Sequence, residues 1–371
     1  MSLNAYVFPA DLFGCGYYRL IFASNVLIEQ GHSVRIIPPK SKHGIQAVPD
    51  PRDGSIFAAG APPDADVLVF QRVTHAPIVE AIRKFRERGI AVVVDVDDDL
   101  DRIDPRNPAW GMLHPQAGTG QSWVTAEAAC AAATLVTVST PALLDKYAPR
   151  GNGVVIPNFV PSLFLQIPRF DSPVFGWGGS LHSHPGDLQV MGDAVARLMR
   201  EGHQFRVVGP LEGVRGALQL PMDPDSTGPL RIELWAQGLS TLGVGVAPLA
   251  DTIFNRAKSR LKLIEKASLG IPTVFSPRND YMALHQESGI GIPAARPKDW
   301  YRELKRLVSD DAYRQQVSAE QRLAASAYTV DANAWRWMEA WEHAWKLQRK
   351  ASTSPFGWRT AGHDIPQAPH T

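Results

Sequence analysis

The residues with the clearest capacity for chemistry lie in the segment FNRAKSRLKLIEKASLGIP, which runs from Phe254 to Pro272. Its pattern predicts one helix that begins near Phe254 and ends at Gly270, with four basic residues in its first turns: Arg256, Lys258, Arg260 and Lys262. The positive end of a helix dipole lies at its N-terminus, so cations there cost about 0.3–1 kcal/mol each. A bound anion such as a diphosphate, held by backbone N–H groups and lysines together, would remove that cost.

Two of these lysines share a face of the predicted helix with a carboxylate. At about 100° per residue, Lys258, Lys262 and Glu265 fall within about 60° of one another around the axis. Glu265 lies one turn deeper, where its carboxylate can accept two hydrogen bonds. Ser259 can cap the helix or donate to phosphate. The alternative is an ordinary solvated face with an i,i+3 Lys–Glu pair.

The elements that must position this segment alternate between apolar strands and helices. The strands of the first half read AYVFP, HSVRIIP, DVLVFQR, IAVVVDVD, ATLVTVST and GVVIPN, and those of the second half VFGWGGS, QFRVVGP, LGVGVAPL and IPTVFSP. Apolar strands separated by helices predict parallel sheets covered on both faces. We therefore expect an α/β protein with two Rossmann-like, doubly wound domains that face each other across a cleft (residues 1–160 and 161–330), followed by a C-terminal helix and tail (331–371). Ligands bind at the carboxyl ends of parallel strands, so the cleft is the predicted site.

The last long helix carries an apolar stripe. Trp337, Trp341 and Trp345 recur every four residues, which predicts that they pack into a core.

The composition argues against several classes of protein. The chain has 371 residues and a formal net charge of +1, so no basic field indicates a nucleic-acid partner. Its two cysteines, Cys15 and Cys130, form no CxxC or Cys/His cluster, which argues against a zinc site or a disulfide scaffold and favours a cytoplasmic location. No apolar run approaches about 18 residues, so we expect no transmembrane segment, while peripheral membrane contact stays open.

The segment GVGVAPLADTIFNRAKSRLKLIEKASLGIPTVFSP resembles the donor-binding segment of GT-B glycosyltransferases, especially the retaining family 4 type. In that family an acidic residue just before G-[IL]-P-[VT]-V binds the ribose hydroxyls of the nucleotide sugar, and Glu265 has this position. An earlier glutamate is frequent eight residues upstream, where this chain has Ala257. The resemblance implies that Lys258 and Lys262 hold the diphosphate of the donor.

Further segments resemble the same family in the same order. GCGYYRLIFASNVLIEQGHSV is similar to the glycine loop and first helix of the acceptor domain, and VTVSTPALLDKYAPRGNGVVIPNFV to the run that closes it, with Phe159 in place of the usual glycine. FGWGGSLHSHPGDL is similar to the strand and loop that open the donor domain, although the usual basic pair of that loop is absent. The resemblance covers residues 1–330 and implies a GT-B fold with the acceptor bound by the first domain and the donor by the second.

Small and basic residues complete the predicted donor side. Gly178, Gly179 and Ser180 follow a strand and can approach phosphate, and Arg256 and Ser259 lie close to the two lysines along the chain. In the same loop as the glycines, Asp187 is interpreted as the N-cap of the next helix.

The predicted acceptor side has its own candidates. Gly14 and Gly16 belong to the loop FGCG, which would form a lip of the cleft, or else a plain tight turn. Arg72 and His75 follow the strand DVLVFQR and so lie at a carboxyl end, although a surface loop position is the alternative for His75.

An acidic cluster, VDVDDDLD, ends the strand at Val94–Asp101. We assign Asp97 and Asp98 to the acceptor side of the cleft, in acceptor binding or closure, with turn or capping duty as the alternative. A third possibility is a metal-binding DxD motif of the GT-A type. GT-A enzymes have one nucleotide domain and this chain has two, and GT-B enzymes generally need no structural metal, so we predict no metal cofactor.

The sequence therefore predicts a glycosyltransferase that moves a sugar, with retention, from a nucleoside diphosphate sugar to an unknown acceptor, which could be a glycan, a protein or a small molecule. Lys258, Lys262 and Glu265 would be the catalytic residues, and UDP or GDP is the expected nucleotide. Two alternatives stay open. One is a non-catalytic GT-B protein that binds a sugar or nucleotide, and the other is a nucleotide-sugar epimerase of the same fold.

Overall fold

Two six-stranded parallel sheets form the frame of the protein in the computed structural model, which describes residues 3–39, 41, 45–49, 52, 56–169 and 171–353. Most of the predicted C-terminal tail, residues 354–371, therefore lies outside the described residues.

The first half of the chain supplies one of these sheets. Its strands are β1 (Ala5–Phe8), β2 (Val34–Ile36), β3 (Gln46–Pro49), β4 (Ile56–Gly60), β5 (Val67–Gln71), β6 (Ala91–Val96), β7 (Leu135–Val138) and β8 (Gly153–Val155). Strands β3 and β4 form a separate antiparallel hairpin, and the other six pair in the order β2-β1-β5-β6-β7-β8, all parallel. Every residue of β5 and β6 is buried, as expected for parallel strands with helices on both faces.

The second half repeats the design. Its strands are β9 (Phe175–Gly178), β10 (Phe205–Val208), β11 (Asp225–Ser226), β12 (Val244–Ala247), β13 (Thr273–Phe275) and β14 (Ile292–Pro293). They pair in the order β11-β10-β9-β12-β13-β14, again all parallel. The chain moves outwards from β9 to β11 and then crosses to β12 on the other side of β9, so the winding direction reverses between β9 and β12.

Helices cover both sheets. Those of the first half are α1 (Gly14–Gly16), a π-helical stretch (Tyr17–Ile21), α2 (Phe22–Glu29), α3 (Ala76–Glu87), a 3-10 turn (Leu100–Arg102), α4 (Pro108–Leu113), α5 (Trp123–Ala132), α6 (Pro141–Tyr147) and α7 (Leu163–Gln166). Those that follow are two 3-10 turns (Leu181–Ser183 and Leu188–Met191), α8 (Ala194–Arg200), α9 (Val214–Leu218), α10 (Ile232–Leu239), α11 (Ile253–Arg256), α12 (Leu261–Ser268), α13 (Asn279–Ser288), α14 (Pro297–Ser309), α15 (Asp311–Ala325), a 3-10 turn (Ser326–Tyr328), α16 (Val330–Asn333) and α17 (Trp335–Thr353).

The final helix, α17, returns to the first sheet. Trp337 and Trp341 are fully buried in the core that lines one face of β1, β5, β6 and β7, and Trp345 packs against its edge. Trp337 Nε1 also donates a hydrogen bond to the backbone oxygen of Arg19 at 2.7 Å. The prediction that the tryptophan stripe belongs to a core is confirmed.

The predicted fold class is confirmed as well, since two doubly wound parallel sheets occupy the two halves of the chain. The hairpin of β3 and β4 was not predicted. The prediction of one continuous helix from Phe254 is wrong: α11 ends at Arg256 and α12 begins only at Leu261. The predicted end is right, because Gly270 follows α12 with a φ of +70° and closes it in the left-handed conformation that favours glycine.

Candidate functional site

The donor-side candidates meet where the winding of the second sheet reverses. Strand β9 ends at Gly178, and the segment after β12 leads into α12, which carries Lys262. Lys262 Nζ donates a hydrogen bond to the backbone oxygen of Gly178 at 3.0 Å and lies 5.5 Å from the centre of the Trp177 ring. Open parallel sheets bind ligands at such a switch point, so a cation stands where an anionic ligand would enter.

Gly179 makes this close approach possible. Its φ of +152° is one that other residues rarely adopt. A Cβ atom at this position would lie 2.9 Å from the Trp177 ring and 3.1 Å from Lys262 Nζ. Ser180 follows, partly buried, and its side chain makes no capping bond to the next 3-10 turn. A larger residue in place of Gly179 would therefore displace either the indole or the ammonium group.

The surroundings of Lys262 disfavour its charge. Burial lowers the pKa of Lys262 to about 8, and the neighbouring Lys258 acts in the same direction, while Glu265 and Asp187 oppose it. A phosphate beside the ammonium group would stabilise the charged form, so binding of such an anion would raise this pKa.

Glu265 lies on α12 one turn after Lys262 and is only 3% exposed. Its Oε1 accepts hydrogen bonds from the Tyr18 hydroxyl at 2.5 Å and from Trp235 Nε1 at 2.8 Å. Tyr18 belongs to the π-helical stretch of the first half, so Glu265 connects the two halves of the chain. Burial, and after it the Glu265 carboxylate, raises the pKa of Tyr18 well above its usual value, which keeps the hydroxyl protonated as a donor.

Lys258 forms a second connection across the cleft. Its Nζ donates to Asp98 Oδ1 at 2.7 Å, and Asp98 Oδ2 accepts from Arg72 at 2.7 Å. Arg72 also pairs with Asp97. The backbone of Arg72 has a φ of +47°, which is uncommon for a residue other than glycine. These four side chains form one charged network, and they bring together predicted donor-side and acceptor-side residues.

The two carboxyl groups of this network, Asp97 and Asp98, have pKa values that are shifted in opposite directions. Burial raises the pKa of Asp97. Burial acts in the same direction on Asp98, but Lys258 and then Arg72 outweigh it and lower the pKa of that carboxyl group. Asp98 is therefore the carboxylate whose charge is secured by Lys258.

Known structures share this arrangement of sheets, although the sequence itself matches no protein-family model and no curated protein. A glycosyltransferase from Rickettsia africae matches with a TM-score of 0.61 at 10% identity, over 93% of this chain and 99% of that chain. HepE from Anabaena, solved in complex with UDP, gives a TM-score of 0.58 at 13% identity over 92% and 100%. Sucrose-phosphate synthase from Thermosynechococcus elongatus gives 0.57 at 14% identity over 93% and 99%. The chain has the GT-B fold.

Within this GT-B fold, the break between α11 and α12 removes one predicted cation from the cleft. The amide of Arg260 donates to Asp280 Oδ2 at 2.7 Å, and its guanidinium group binds Asp280 Oδ1 at 2.6 Å and Glu287 Oε2 at 2.6 Å. The anion beside the start of α12 is therefore the Asp280 carboxylate of α13, which belongs to the protein itself. Arg260 is 8% exposed and serves the packing of α12 on α13.

The remaining donor-side candidates lie at different depths. Arg256 is exposed and pairs with Asp251 at 3.4 Å. Ser259 is partly buried, and its Oγ accepts a hydrogen bond from Asn158 Nδ2 at 2.8 Å, which is a further contact between the halves. Ser259 makes no capping bond to α12, whose N-cap residue is Arg260.

On the other side of the GT-B cleft, Gly14 and Gly16 lie in the short helix α1 after β1, and not in the predicted loop or tight turn. A Cβ atom on Gly16 would lie 2.0 Å from the backbone oxygen of Asp11, while one on Gly14 would meet nothing within 4 Å. Close approach therefore requires a glycine at position 16 and not at position 14. His75 is exposed at the start of α3, and its side chain caps no helix.

The acidic cluster after β6 is neutralised by basic side chains. Asp95 is fully buried and forms a two-bonded ion pair with Arg19, at 3.0 and 2.8 Å. Asp99 pairs with Lys146. In the part of the chain that the structure describes, no group of three or more His, Cys, Asp and Glu side chains has a geometry that could hold a metal ion.

Three residues at the site were missed from the sequence: the buried Tyr18 and Lys266, and the partly buried Trp235. Lys266 is 1% exposed, and its Nζ donates to the backbone oxygen of Lys262 at 3.2 Å. It falls on the buried face of α12, beside Leu263 and Ala267, and a lysine at an apolar position was a signal that could have identified it. Tyr18 and Trp235 carry no such local signal, because they reach Glu265 from distant elements.

Among the described residues, no helix combines the length and apolar character needed to cross a membrane.

Proposed function

We propose that this protein is a glycosyltransferase that uses a nucleoside diphosphate sugar as its donor. The observation that carries the proposal is the arrangement of Lys262, Gly179 and Glu265 at the switch point of the second sheet. These residues supply a cation, a backbone that a ligand can approach closely and a buried carboxylate. The fold supports it, since HepE of Anabaena has been solved with UDP, and also with UDP and glucose. UDP is the first nucleotide to test, followed by GDP.

On this proposal, residues 161–330 bind the donor. Lys258 and Lys262 hold the diphosphate together with the backbone at Gly178, Gly179 and Ser180, while Arg256 and Ser259 lie at the edge of the same site. Both hydrogen bonds that reach Glu265 from described residues end on Oε1, which leaves Oε2 for a ribose hydroxyl. Negative charge grows on the diphosphate as the sugar departs, and fixed cations stabilise that charge more than they stabilise the ground state.

Residues 1–160 would bind the acceptor, with Gly14, Gly16, Arg72, His75, Asp97 and Asp98 as the candidates. Transfer would proceed with retention, with the leaving phosphate taking the proton of the acceptor hydroxyl. The cross-cleft pair of Lys258 and Asp98 supports a role for Asp98 in closure, because a donor diphosphate would compete with that carboxylate for the lysine.

The test is a thermal-shift screen of the intact protein with UDP, GDP, ADP and dTDP sugars, followed by donor turnover with and without candidate acceptors. A glycosyltransferase shows stabilisation by one nucleotide family and release of the nucleoside diphosphate that speeds up with an acceptor. Stabilisation without turnover would indicate a binding protein, and conversion of one nucleotide sugar into another an epimerase. Transfer should survive EDTA, since the acidic cluster is already paired with cations; loss that Mn²⁺ restores would overturn that part of the proposal.

A further inference from the structure

The loop after β9 carries a histidine that the proposed donor site does not use. His184 Nδ1 lies 3.1 Å from Asp187 Oδ2, and Asp187 is 2% exposed. Asp187 occupies the N-cap position of the 3-10 turn Leu188–Met191, as interpreted from the sequence, but its side chain makes no capping bond there. Asp187 Oδ1 instead accepts from the amide of Ala250 at 2.9 Å and from Asn255 Nδ2 at 2.6 Å. The Asp187 carboxylate therefore connects the loop that carries His184 to the segment after β12.

This arrangement decides which nitrogen of the ring carries the proton. An ionised carboxylate can only accept hydrogen bonds, so His184 Nδ1 must be the donor to Asp187. A neutral imidazole with a proton on Nδ1 has its lone pair on Nε2. A hydrogen bond from one ring nitrogen to a neighbouring carboxylate commonly fixes the tautomer and the orientation of a functional histidine.

The ring stays neutral at physiological pH because of where it lies. Burial, and after it the charge of Lys262, lowers the pKa of His184 to about 4, and Lys258 adds to the effect while Asp187 opposes it. His184 also packs edge-on against Trp177, with 6.3 Å between ring centres, and Lys262 lies over the same indole. His184 and Lys262 therefore both lie beside the ring of Trp177, near the end of β9.

We propose that His184 binds a hydroxyl group of the transferred sugar through the Nε2 lone pair, with Asp187 and Asn255 as positioning residues. The inference rests on the proposed function and extends it to the sugar. A phosphate oxygen at neutral pH has no proton to donate, so an acceptor nitrogen cannot serve the diphosphate, which Lys258 and Lys262 suit. A sugar hydroxyl is a donor, and it is the group that follows the diphosphate along the donor molecule. The site then binds the phosphates with hydrogen-bond donors and the sugar hydroxyl with a hydrogen-bond acceptor.

The experiment compares the affinity of UDP with that of UDP-glucose by calorimetry, or GDP with GDP-mannose if guanine nucleotides are the ones that stabilise the wild-type protein. His184→Phe keeps a ring but removes the acceptor. It should weaken binding of the nucleotide sugar roughly fivefold or more, the contribution of one hydrogen bond, and leave the free nucleotide within about twofold. His184→Gln retains an acceptor at a similar reach and should recover most of the lost affinity.

Asp187→Asn is the sharper variant, because it has the same shape. Its amide oxygen can still accept from Ala250 and Asn255, while its amide nitrogen would donate to His184 Nδ1 and move the ring proton to Nε2. This variant should therefore lose affinity for the nucleotide sugar but not for the free nucleotide, as His184→Phe does, and its melting temperature should be unchanged. Equal loss of nucleotide and nucleotide sugar in His184→Phe, or no loss of either, would overturn the inference. If the wild-type protein binds no nucleotide at all, the proposed function fails and the inference falls with it.

Discussion

Glu265 connects elements of the fold and, on the proposed function, would also bind the ligand. Its Oε1 is occupied by Tyr18 and Trp235, which arrive from different elements and hold the carboxylate in one orientation. A carboxylate held in this way loses little conformational freedom when a ligand binds to its other oxygen.

The first prediction at this scale concerns that oxygen. Glu265→Gln keeps an acceptor for Tyr18 and Trp235 but removes the charge and replaces Oε2 by an amide, so nucleotide binding should weaken by about 1.5–3 kcal/mol, or 10- to 150-fold. Calorimetry with UDP measures the loss, and Glu233→Gln, which changes an exposed carboxylate on α10, serves as the matched control. An unchanged affinity in Glu265→Gln would remove Glu265 from the nucleotide site.

A second prediction concerns Lys266, whose pKa burial lowers to about 7, with Lys262 acting in the same direction. An unfolded lysine titrates near 10.4, so between about pH 7 and 10 the unfolded state binds more protons, and stability rises with pH. The cost of burying this amine is therefore largest at and below neutral pH. Lys266→Met should stabilise the protein at pH 6.5 by at least about 1.4 kcal/mol, the free energy of one pKa unit, and the gain should shrink towards pH 10.

Unfolding in urea at a series of pH values measures this effect. Lys298→Met, on the exposed side of α14, is the control and should change stability little at any pH. A Lys266→Met protein that is less stable at pH 6.5 would show that the ammonium group contributes more through its hydrogen bond to Lys262 than burial costs.

At the scale of elements, the break between α11 and α12 sorts four similar basic residues into different roles. Asp280 takes the amide and the guanidinium group of Arg260, Arg256 faces solvent, and Lys258 and Lys262 remain in the cleft. The contact that produces the break comes from α13, so it is tertiary and not a property of the helix itself.

This difference predicts unequal effects on stability. Asp280→Ala would leave the Arg260 amide without an acceptor and its guanidinium group with Glu287 alone, and should lower the free energy of unfolding by about 3 kcal/mol, the low end for a broken buried pair. Arg256→Ala removes an exposed pair with Asp251 and should cost about 1 kcal/mol or less. Denaturant unfolding of the two variants side by side tests the assignment, and similar losses in both would contradict it.

The same segment shows what could be predicted from the sequence and what could not. Strands such as β5 and β6 were predictable because full burial leaves a continuous apolar run, and the end of α12 was predictable because Gly270 has the φ that only glycine adopts easily. The break was not, because Arg260 and Asp280 are twenty residues apart and nothing local distinguishes Arg260 from the neighbouring lysines. Tyr18 was missed for the same reason, since 247 residues separate it from Glu265.

At the scale of the whole molecule, four hydrogen bonds made by side chains of the described residues connect the halves around the cleft. They are the pairs Tyr18–Glu265 at 2.5 Å, Lys258–Asp98 at 2.7 Å, Asn158–Ser259 at 2.8 Å and the Thr140 hydroxyl with the Ala257 backbone oxygen at 3.0 Å. Three of them use residues of the proposed donor site, namely Glu265, Lys258 and Ser259, so closure and donor binding would share side chains.

A prediction follows for the shape of the protein in solution. The double variant Tyr18→Phe/Asp98→Ala removes two of these contacts, each worth about 1 kcal/mol, and should increase the fraction of open molecules. Small-angle X-ray scattering should then give a larger radius of gyration than for the wild-type protein, and a bound donor should reduce it. Tyr6→Phe, which removes a hydrogen bond to Asp64 within the first half, is the matched control and should leave the radius unchanged.

The return of α17 to the first sheet sets an order of events during synthesis. The ribosome delivers Trp337 and Trp341 after the strands of both sheets, so the sheet that is made first lacks part of its apolar cover until the second sheet has emerged. By contrast, the buried residues of the core on one face of the second sheet run from Phe175 to Val308 and leave the ribosome as one run. The half that is made second can therefore complete this core while the half made first still exposes the sheet face that α17 will cover. Such a delayed surface is where a nascent chain is most open to aggregation and most in need of a chaperone.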